Sequence, residues 1–423
     1  MKRNYYIVSL IFLIFFVISF LTNIIGPLIP DIIEDFRLSL TMVAILPFAF
    51  FIAYGVMSIP AGIMIEKYRE KPVLVASFVM AFGGALILAL FPNYKTAIVS
   101  LFMIGSGMAM IQVAINPLLR QAGGEEHFAF NSTVAQLIFG LASFFSPWVY
   151  SYLVVNLEKG QPDPNWIIRV FRFLVPPDLA WVSLYWLFTL IAFLMVIVVL
   201  LSRLPKVQLS DDEKIGALDT HLKLLRNPYV ILFFLGIFAY VGTEQGVANW
   251  ISKFLSSYHG YDPQTTGAST VSWFWGLMTA GGLLGLVFLK IMDSRKVLVV
   301  FTLAAIFCLT LSLFASGPVA LITFPLVGFF ASVMYPVIFS LALNSVAEHH
   351  GSFSGILVTA IVGGAVVPLI VGGLGDLLGL RYGLLFIYLT LGYILSIGFW
   401  AKPLIVNKTI EIGRKRETAS EAA

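Results

Sequence analysis

Residues 228–254 read PYVILFFLGIFAYVGTEQGVANWISKF. A helix needs about 20 largely apolar residues to cross the hydrocarbon core of a bilayer, and this run is long enough. It holds a single carboxylate, Glu244, set within Gly242-Thr243-Glu244-Gln245-Gly246 and flanked by apolar residues on both sides. A helix of this kind is not the surface of a water-soluble domain, and an acid inside it is expensive unless it is used.

The rest of the chain repeats the pattern. Apolar runs predict twelve spans at 5–29, 41–64, 73–92, 96–118, 128–154, 180–202, 228–254, 266–290, 296–315, 318–345, 352–376 and 381–401. Of the 423 residues, 59% are hydrophobic and only 11% charged, against roughly 25% charged in soluble domains. The long unbroken runs exclude a β-barrel, whose strands alternate over short segments. The expected fold is therefore an all-α polytopic membrane protein. The apolar start at Tyr5 lacks a small-residue cleavage site and is too long for a signal peptide, so it reads as a retained first span.

Two connections are long. Residues 155–179 contain Trp166 to Leu174, which predicts a short helix lying at the membrane surface. Residues 203–227, with Asp211, Asp212, Glu213 and Lys214, form the most polar interior stretch. They divide the chain into an N-terminal six-helix half (1–202), a cytoplasmic linker (203–227), a C-terminal six-helix half (228–403) and a cytoplasmic tail (404–423). With both termini placed in the cytoplasm, nineteen of the 26 Lys and Arg residues fall on that side. The other seven are Arg37, Lys95, Lys159, Arg169, Arg172, Lys253 and Arg381, so the positive-inside rule favours this orientation in a cytoplasmic (inner) membrane.

The halves echo one another. Glu126-His127 precedes span 5 and Pro147 follows within it; Glu348-His349 precedes span 11 and Pro368 follows. Duplicated halves are a common plan for secondary transporters, with the solute site between them near the midplane. Gly55, Gly62, Gly105, Gly107, Gly281, Gly282 and Gly285 are candidate points of close helix approach, and Pro60, Pro117, Pro147, Pro336 and Pro368 candidate kinks.

The segment Gly62-Ile-Met-Ile-Glu66-Lys67-Tyr-Arg69-Glu-Lys71 resembles the loop between spans 2 and 3 of the major facilitator superfamily. That resemblance implies a gating role for Glu66, Lys67 and Arg69, whose ion pairs would latch the two halves. Residues 49–68 (AFFIAYGVMSIPAGIMIEKY), 112–117 (QVAINP), 240–250 (YVGTEQGVANW) and 361–376 (IVGGAVVPLIVGGLGD) are similar to spans 2, 4, 7 and 11 of the fucose–glucose–galactose sugar:cation symporters. The match implies a sugar as solute and a proton or sodium ion as driving partner. It departs at the acids: a span 1 Asp and a span 4 Glu of the fucose permease branch fall at Gly26 and Gln112, and a sugar-contacting span 5 Asn at Leu137. That branch's proton route cannot be carried over.

Glu244 is the candidate cation-coupling residue; the alternative is an acid at the outer end of its span, wetted by an exterior cavity. Sugars need amide partners for their hydroxyls and aromatic faces for their C–H surfaces. Asn23, Gln112, Asn116, Asn131, Gln136, Gln245, Asn249 and Asn344 supply candidate amides, and Trp273 and Trp275 candidate stacking surface, with Trp250 and Tyr335 as further aromatics. Gln112 with Asn116, and Gln245 with Asn249, are four apart and share helix faces. Each amide could equally be helix–helix glue. Asp31 and Glu34 read as solvated charges at the outer boundary.

Several classes are excluded. Cys308 stands alone, so neither a disulfide nor a zinc site is expected. There is no Walker loop, no metalloprotease motif and no basic–aromatic module, so we expect no enzyme activity, no cofactor, no metal and no nucleic acid. The partners expected are a small solute, a cation and membrane lipid, with a monomeric chain. An alternative is a uniporter or exporter of another small organic solute or drug; a more distant one is a non-transporting membrane sensor or enzyme.

Overall fold

The computed structural model describes residues 4–124, 127–158, 165–205, 223–345 and 350–403. Among them, twelve helices are long and apolar enough to cross a membrane. Spans 1 to 6 are Tyr5–Phe36, Leu40–Ile65, Glu70–Leu90, Tyr94–Gly123, Phe130–Leu157 and Ala180–Leu201. Spans 7 to 12 are Pro228–Ala248, Pro263–Ile291, Ser294–Phe314, Gly317–Leu343, Phe353–Leu378 and Leu380–Trp400. Each coincides with a predicted span. A short helix is present at Trp166–Leu174, where one was expected, with Trp166 and Phe173 exposed.

Polar residues set the helix starts. The first turn of a helix has N–H groups with no internal acceptor, and short polar side chains supply one. Asn4 accepts from the Ile7 N–H, Ser39 from Met42, Asn227 from Tyr229 and Asp293 from Arg295. Asn93 and Thr96 form a reciprocal capping box at the start of span 4.

Hydroxyl contacts and glycine crossings hold each half together, as expected where lipid offers no hydrophobic drive between helices. In the N-terminal half, Ser19 meets Ser143 at 2.6 Å and the Ser146 hydroxyl donates to the Phe20 carbonyl at 3.1 Å, joining spans 1 and 5. In the C-terminal half, Thr243 meets Thr390 at 2.6 Å and Ser312 meets Thr323 at 2.8 Å. A Cβ on Gly105 would lie 2.2 Å from the Phe50 carbonyl oxygen, and one on Gly107 2.5 Å from that of Ser77. Gly282 does not belong with them: nothing lies within 4 Å of its added Cβ.

The breaks in the spans differ from the predicted kinks. Pro60, Pro117 and Pro147 lie within continuous helices. Span 1 instead breaks after Thr22 and resumes at Ile25, because Pro27 has no N–H to give the Asn23 carbonyl. Pro336 acts as expected, with span 10 breaking at Ser332–Val333, at the carbonyl it leaves unserved. Span 7 stops at Ala248 and a further helix, Ile251–His259, continues it.

Among the described residues, three pairs of spans cross closely at glycines on the seam between the halves. Spans 1 and 7 meet where a Cβ on Gly26 would lie 2.5 Å from the Ala248 carbonyl oxygen. Spans 2 and 11 meet at Gly372, whose Cβ would lie 2.7 Å from the Leu40 oxygen, and at Gly364 against Phe51. Spans 5 and 8 meet at Gly140 against Thr279. The first and last spans begin and end on one face, here called the terminal face. The seam is closed from mid-depth to the opposite, distal face. One turn toward the terminal face the same sides become accessible: Ile59, four residues after Gly55, is 44% exposed, and Gln136, four before Gly140, is also exposed.

Gly105→Ala is expected to lower the melting temperature of the detergent-purified protein, because overpacking against backbone typically costs about 1–3 kcal/mol. Gly282→Ala, which meets nothing, is expected to leave it unchanged or slightly higher. Scanning fluorimetry on the two variants tests the assignment of close crossings.

Candidate functional site

Span 7 places Glu244 midway along the continuous path from Pro228 to His259. Four residues earlier on the same face, the Tyr240 hydroxyl donates to one carboxylate oxygen at 2.5 Å. The Gln245 amide donates to the other at 3.1 Å. The Tyr240 ring lies 5.6 Å from that of Tyr335 on span 10, which in turn stacks at 5.7 Å on Phe339. Glu244 is partly accessible, while Tyr240 and Gln245 are buried. Gln245 lies against Gly364, the residue that also touches Phe51 of the other half, so the acid sits beside the seam. A carboxylate held by two donors can accept a proton, take a cation on oxygen ligands or bind solute hydroxyls.

One turn further, Asn249 ends the first helix of span 7. Its side chain is buried and its amide nitrogen has no hydrogen-bond partner among the described residues. An unsatisfied buried donor is a costly feature in a static core. Gly26 packs on the Asn249 backbone, its added Cβ only 3.2 Å from the Asn249 Cα. No side chain, acidic or otherwise, fits at position 26 in this arrangement.

The other predicted residues divide. Gln112 is partly accessible and Asn116 exposed on span 4, and the Asn116 amide donates to the Gln112 carbonyl at 3.3 Å. Gln136 is exposed where spans 5 and 8 part. Five residues show no contact with the cluster around Glu244 among the described contacts. Asn23 is buried between spans 1 and 5 and donates to Ser143 at 2.8 Å, which makes it a strut of its own half. Asn131 presses on span 4, its amide nitrogen 2.1 Å from where a Gly123 Cβ would sit. Asn344 ends span 10 at the terminal face, about two turns beyond Tyr335, with only Ser340 near its amide at 3.4 Å. Trp273 is 49% exposed and packs edge-on against Phe144, on the seam of spans 5 and 8. Trp275 is buried, and its indole N–H has no hydrogen-bond partner among the described residues.

Of the gating trio, Lys67 and Arg69 are described. Lys67 lies over the Tyr68 ring at 5.2 Å, and Arg69 takes a positive φ of 72° at the turn into span 3. The Glu66 side chain lies outside the described residues, as do Glu126, Glu348 and His349. Lys71 from the same loop donates to the Leu200 and Ser202 carbonyls of span 6, within its own half. Asp31 is more than a solvated charge: it accepts from the Tyr150 hydroxyl and from Gln264 across the seam, in a distal cavity of about 300 Å³ shared with Glu34, Asp35 and Trp181. Tyr240 was legible as the residue one turn before Glu244 but carries no sequence signal of its own.

The family profile described as Major Facilitator Superfamily matches residues 11–368. The chain belongs to this superfamily. Relatives support the placement: it is 31% identical over 407 residues to the glucose/galactose transporter of Brucella abortus biovar 1 (strain 9-941), covering 94% of each chain. It is 26% identical over 395 residues to the L-fucose-proton symporter of Escherichia coli (strain K12), covering 89% of each. In shape it matches a superfamily transporter crystallised in the outward conformation, at TM-score 0.67, 22% identity and coverage of 93% and 98%. A bacterial homologue of the human lysosomal transporter Spinster, crystallised inward-facing and unoccupied, gives TM-score 0.75 at 15% identity and coverage of 95% and 98%. The superfamily and these relatives are membrane transporters, and this protein is a multi-pass transporter rather than an enzyme.

Asn23→Ala is expected to lower thermal stability by about 1 kcal/mol, the usual net worth of one such hydrogen bond. Solute affinity is expected to remain unchanged. A binding isotherm beside a melting curve separates this strut from a ligand contact.

Proposed function

We propose that this transporter moves a sugar of the hexose or deoxyhexose type by alternating access, coupled to a proton or sodium gradient through Glu244. The observation that carries the reading is the Glu244 carboxylate beside the seam, held by Tyr240 and Gln245 and still partly accessible. An ionised group of this kind resists passage through a closed, dry barrier. Neutralisation by a proton, or pairing with a bound cation, removes that resistance and ties movement of the halves to loading of the site. The Brucella abortus and Escherichia coli relatives are named for glucose, galactose and fucose, and the last for proton symport. Coupling by sodium is kept as the other arm because carboxylate and amide oxygens suit it equally well.

Gly26 bears directly on the missing acid. The fucose permease branch resembled by this sequence carries its acid at that position on span 1. Here the position is filled by the backbone of span 7 at Ala248 and Asn249, one turn from Glu244. The reading is that the carboxyl has moved across the seam to the facing helix, with Gln112, Asn249 and Gln245 as amide contacts for the solute and Tyr335 as its aromatic wall. The six-helix halves 1–202 and 228–403 are the rocking bodies, 203–227 the cytoplasmic linker and 404–423 a cytoplasmic tail. With both termini cytoplasmic, the closed distal seam makes this an inward-facing state of a monomer in the inner membrane, in contact with lipid. A uniporter is the second reading, favoured by the absence of acids at Gly26 and Gln112.

Uptake of labelled glucose, galactose and fucose into proteoliposomes tests the proposal. Accumulation above equilibrium is expected under an imposed proton or sodium gradient, and mere equilibration would establish the uniporter. Glu244→Gln is expected to abolish accumulation while retaining solute exchange. Unchanged accumulation in that variant removes Glu244 from coupling.

A further inference from the structure

The distal seam contains a contact that neither the family resemblance nor the proposed site uses. Asp376 stands two residues before the end of span 11, in the C-terminal half. Its carboxylate accepts from the Leu40 and Thr41 backbone N–H groups, both at 2.8 Å, and from the Thr41 hydroxyl at 2.5 Å. Leu40 and Thr41 are the first two residues of span 2, in the N-terminal half.

The start of span 2 shows why this matters. An α-helix begins with four N–H groups that have no acceptor within it. The Ser39 carbonyl takes the first bond of the helix, from Val43, and the Ser39 hydroxyl accepts from Met42. The N–H groups of Leu40 and Thr41, which have no acceptor within the helix, are served by Asp376 from across the seam. The cap of span 2 is thus complete only while the distal seam is shut. The negative carboxylate also faces the positive end of the helix dipole.

The surroundings are shaped to permit the contact. A Cβ on Gly372 would lie 2.7 Å from the Leu40 oxygen and 3.0 Å from the Ala44 Cβ, and one on Gly375 2.9 Å from the Leu40 side chain. These glycines bring span 11 close enough for Asp376 to reach. Behind it, the turn into span 12 is braced within its own half: the Arg381 N–H donates to the Tyr258 hydroxyl at 3.0 Å, and the Arg381 guanidinium lies 4.6 Å from the Tyr258 ring. The carboxylate is carried on one rigid half and its donors on the other.

We infer that Asp376 is a conformational latch: by capping span 2 from the opposite half it favours the distal-closed state, and it must release span 2 each time that face opens. The contact is exposed to water, so its strength is modest and it can break within a transport cycle.

Double electron–electron resonance on purified protein tests this. Labels at Lys95→Cys and Leu378→Cys, both on exposed distal positions of opposite halves, report the seam, with Cys308→Ser removing the native thiol. Asp376→Ala is expected to raise the ratio of the long-distance to the short-distance population roughly tenfold, the scale of one or two net hydrogen bonds. Asp376→Asn, which keeps shape and one acceptor but loses the charge, is expected to fall between. If Asp376→Ala does not yield monodisperse protein, the Asn variant alone decides, by a shift or its absence. Asp293→Asn serves as control, since Asp293 pairs with Arg295 and the Lys296 backbone, all on the terminal face of its own half. An unchanged distance distribution in the Asp376 variants, or an equal shift in the Asp293 control, overturns the latch.

Discussion

A peptide group inside a bilayer has no water to bind, and everything in this structure follows from that constraint. The spans are helices that satisfy most of their backbone internally, and polar caps serve the starts of spans 1, 2, 4, 7 and 9. Where a span breaks, the break is covered by protein. Asn23, at the break of span 1, is buried between spans 1 and 5, and Asn249, at that of span 7, is buried against Gly26. Of the breaks, that of span 7 lies at the seam, against Gly26 of the other half.

The seam is built largely from glycine crossings, with Phe144 and Trp273 packed edge-on between spans 5 and 8. Gly26, Gly140, Gly364 and Gly372 each let a helix of one half press directly on the other. Such contacts involve little side-chain interdigitation, so they can part without repacking a core. The packing that resists change lies inside each half, in pairs such as Ser19 with Ser143 and Thr243 with Thr390. Two bodies that are firm within and smooth between them suit alternating access.

The same division orders the polar side chains. Glu244, Tyr240 and Gln245 bond one another within a single helix, so their arrangement travels with the C-terminal half whichever face is open. Asp376 bonds only across the seam among its described contacts, so its partners depend on the state. The first kind of contact suits holding a cation or solute, and the second suits biasing a conformational equilibrium. The distal acids around Asp31 lie on the closed side of the seam, with Gln264 bridging to the other half.

Hydropathy and length were sufficient for the number and place of the spans, the short helix at Trp166–Leu174 and the isolation of Glu244, because these depend on local composition against a uniform solvent. The motifs around Glu66, Gln112, Glu244 and Gly363 were sufficient for the superfamily. Which proline interrupts its helix was not legible: spans 1 and 10 break ahead of Pro27 and Pro336, whereas Pro60 and Pro117 lie within continuous helices. Nor was the split among the amides, since Asn23 and Asn249 read alike in sequence but the amide nitrogen of one donates to Ser143 and that of the other has no hydrogen-bond partner among the described residues. Asp376 looked like the polar end of a span, and only the approach of span 2 made it a cap. A one-dimensional pattern reports what a residue prefers as solvent, whereas a hydrogen bond or a close crossing depends on which helix arrives opposite it, and that is decided by the packing of all twelve.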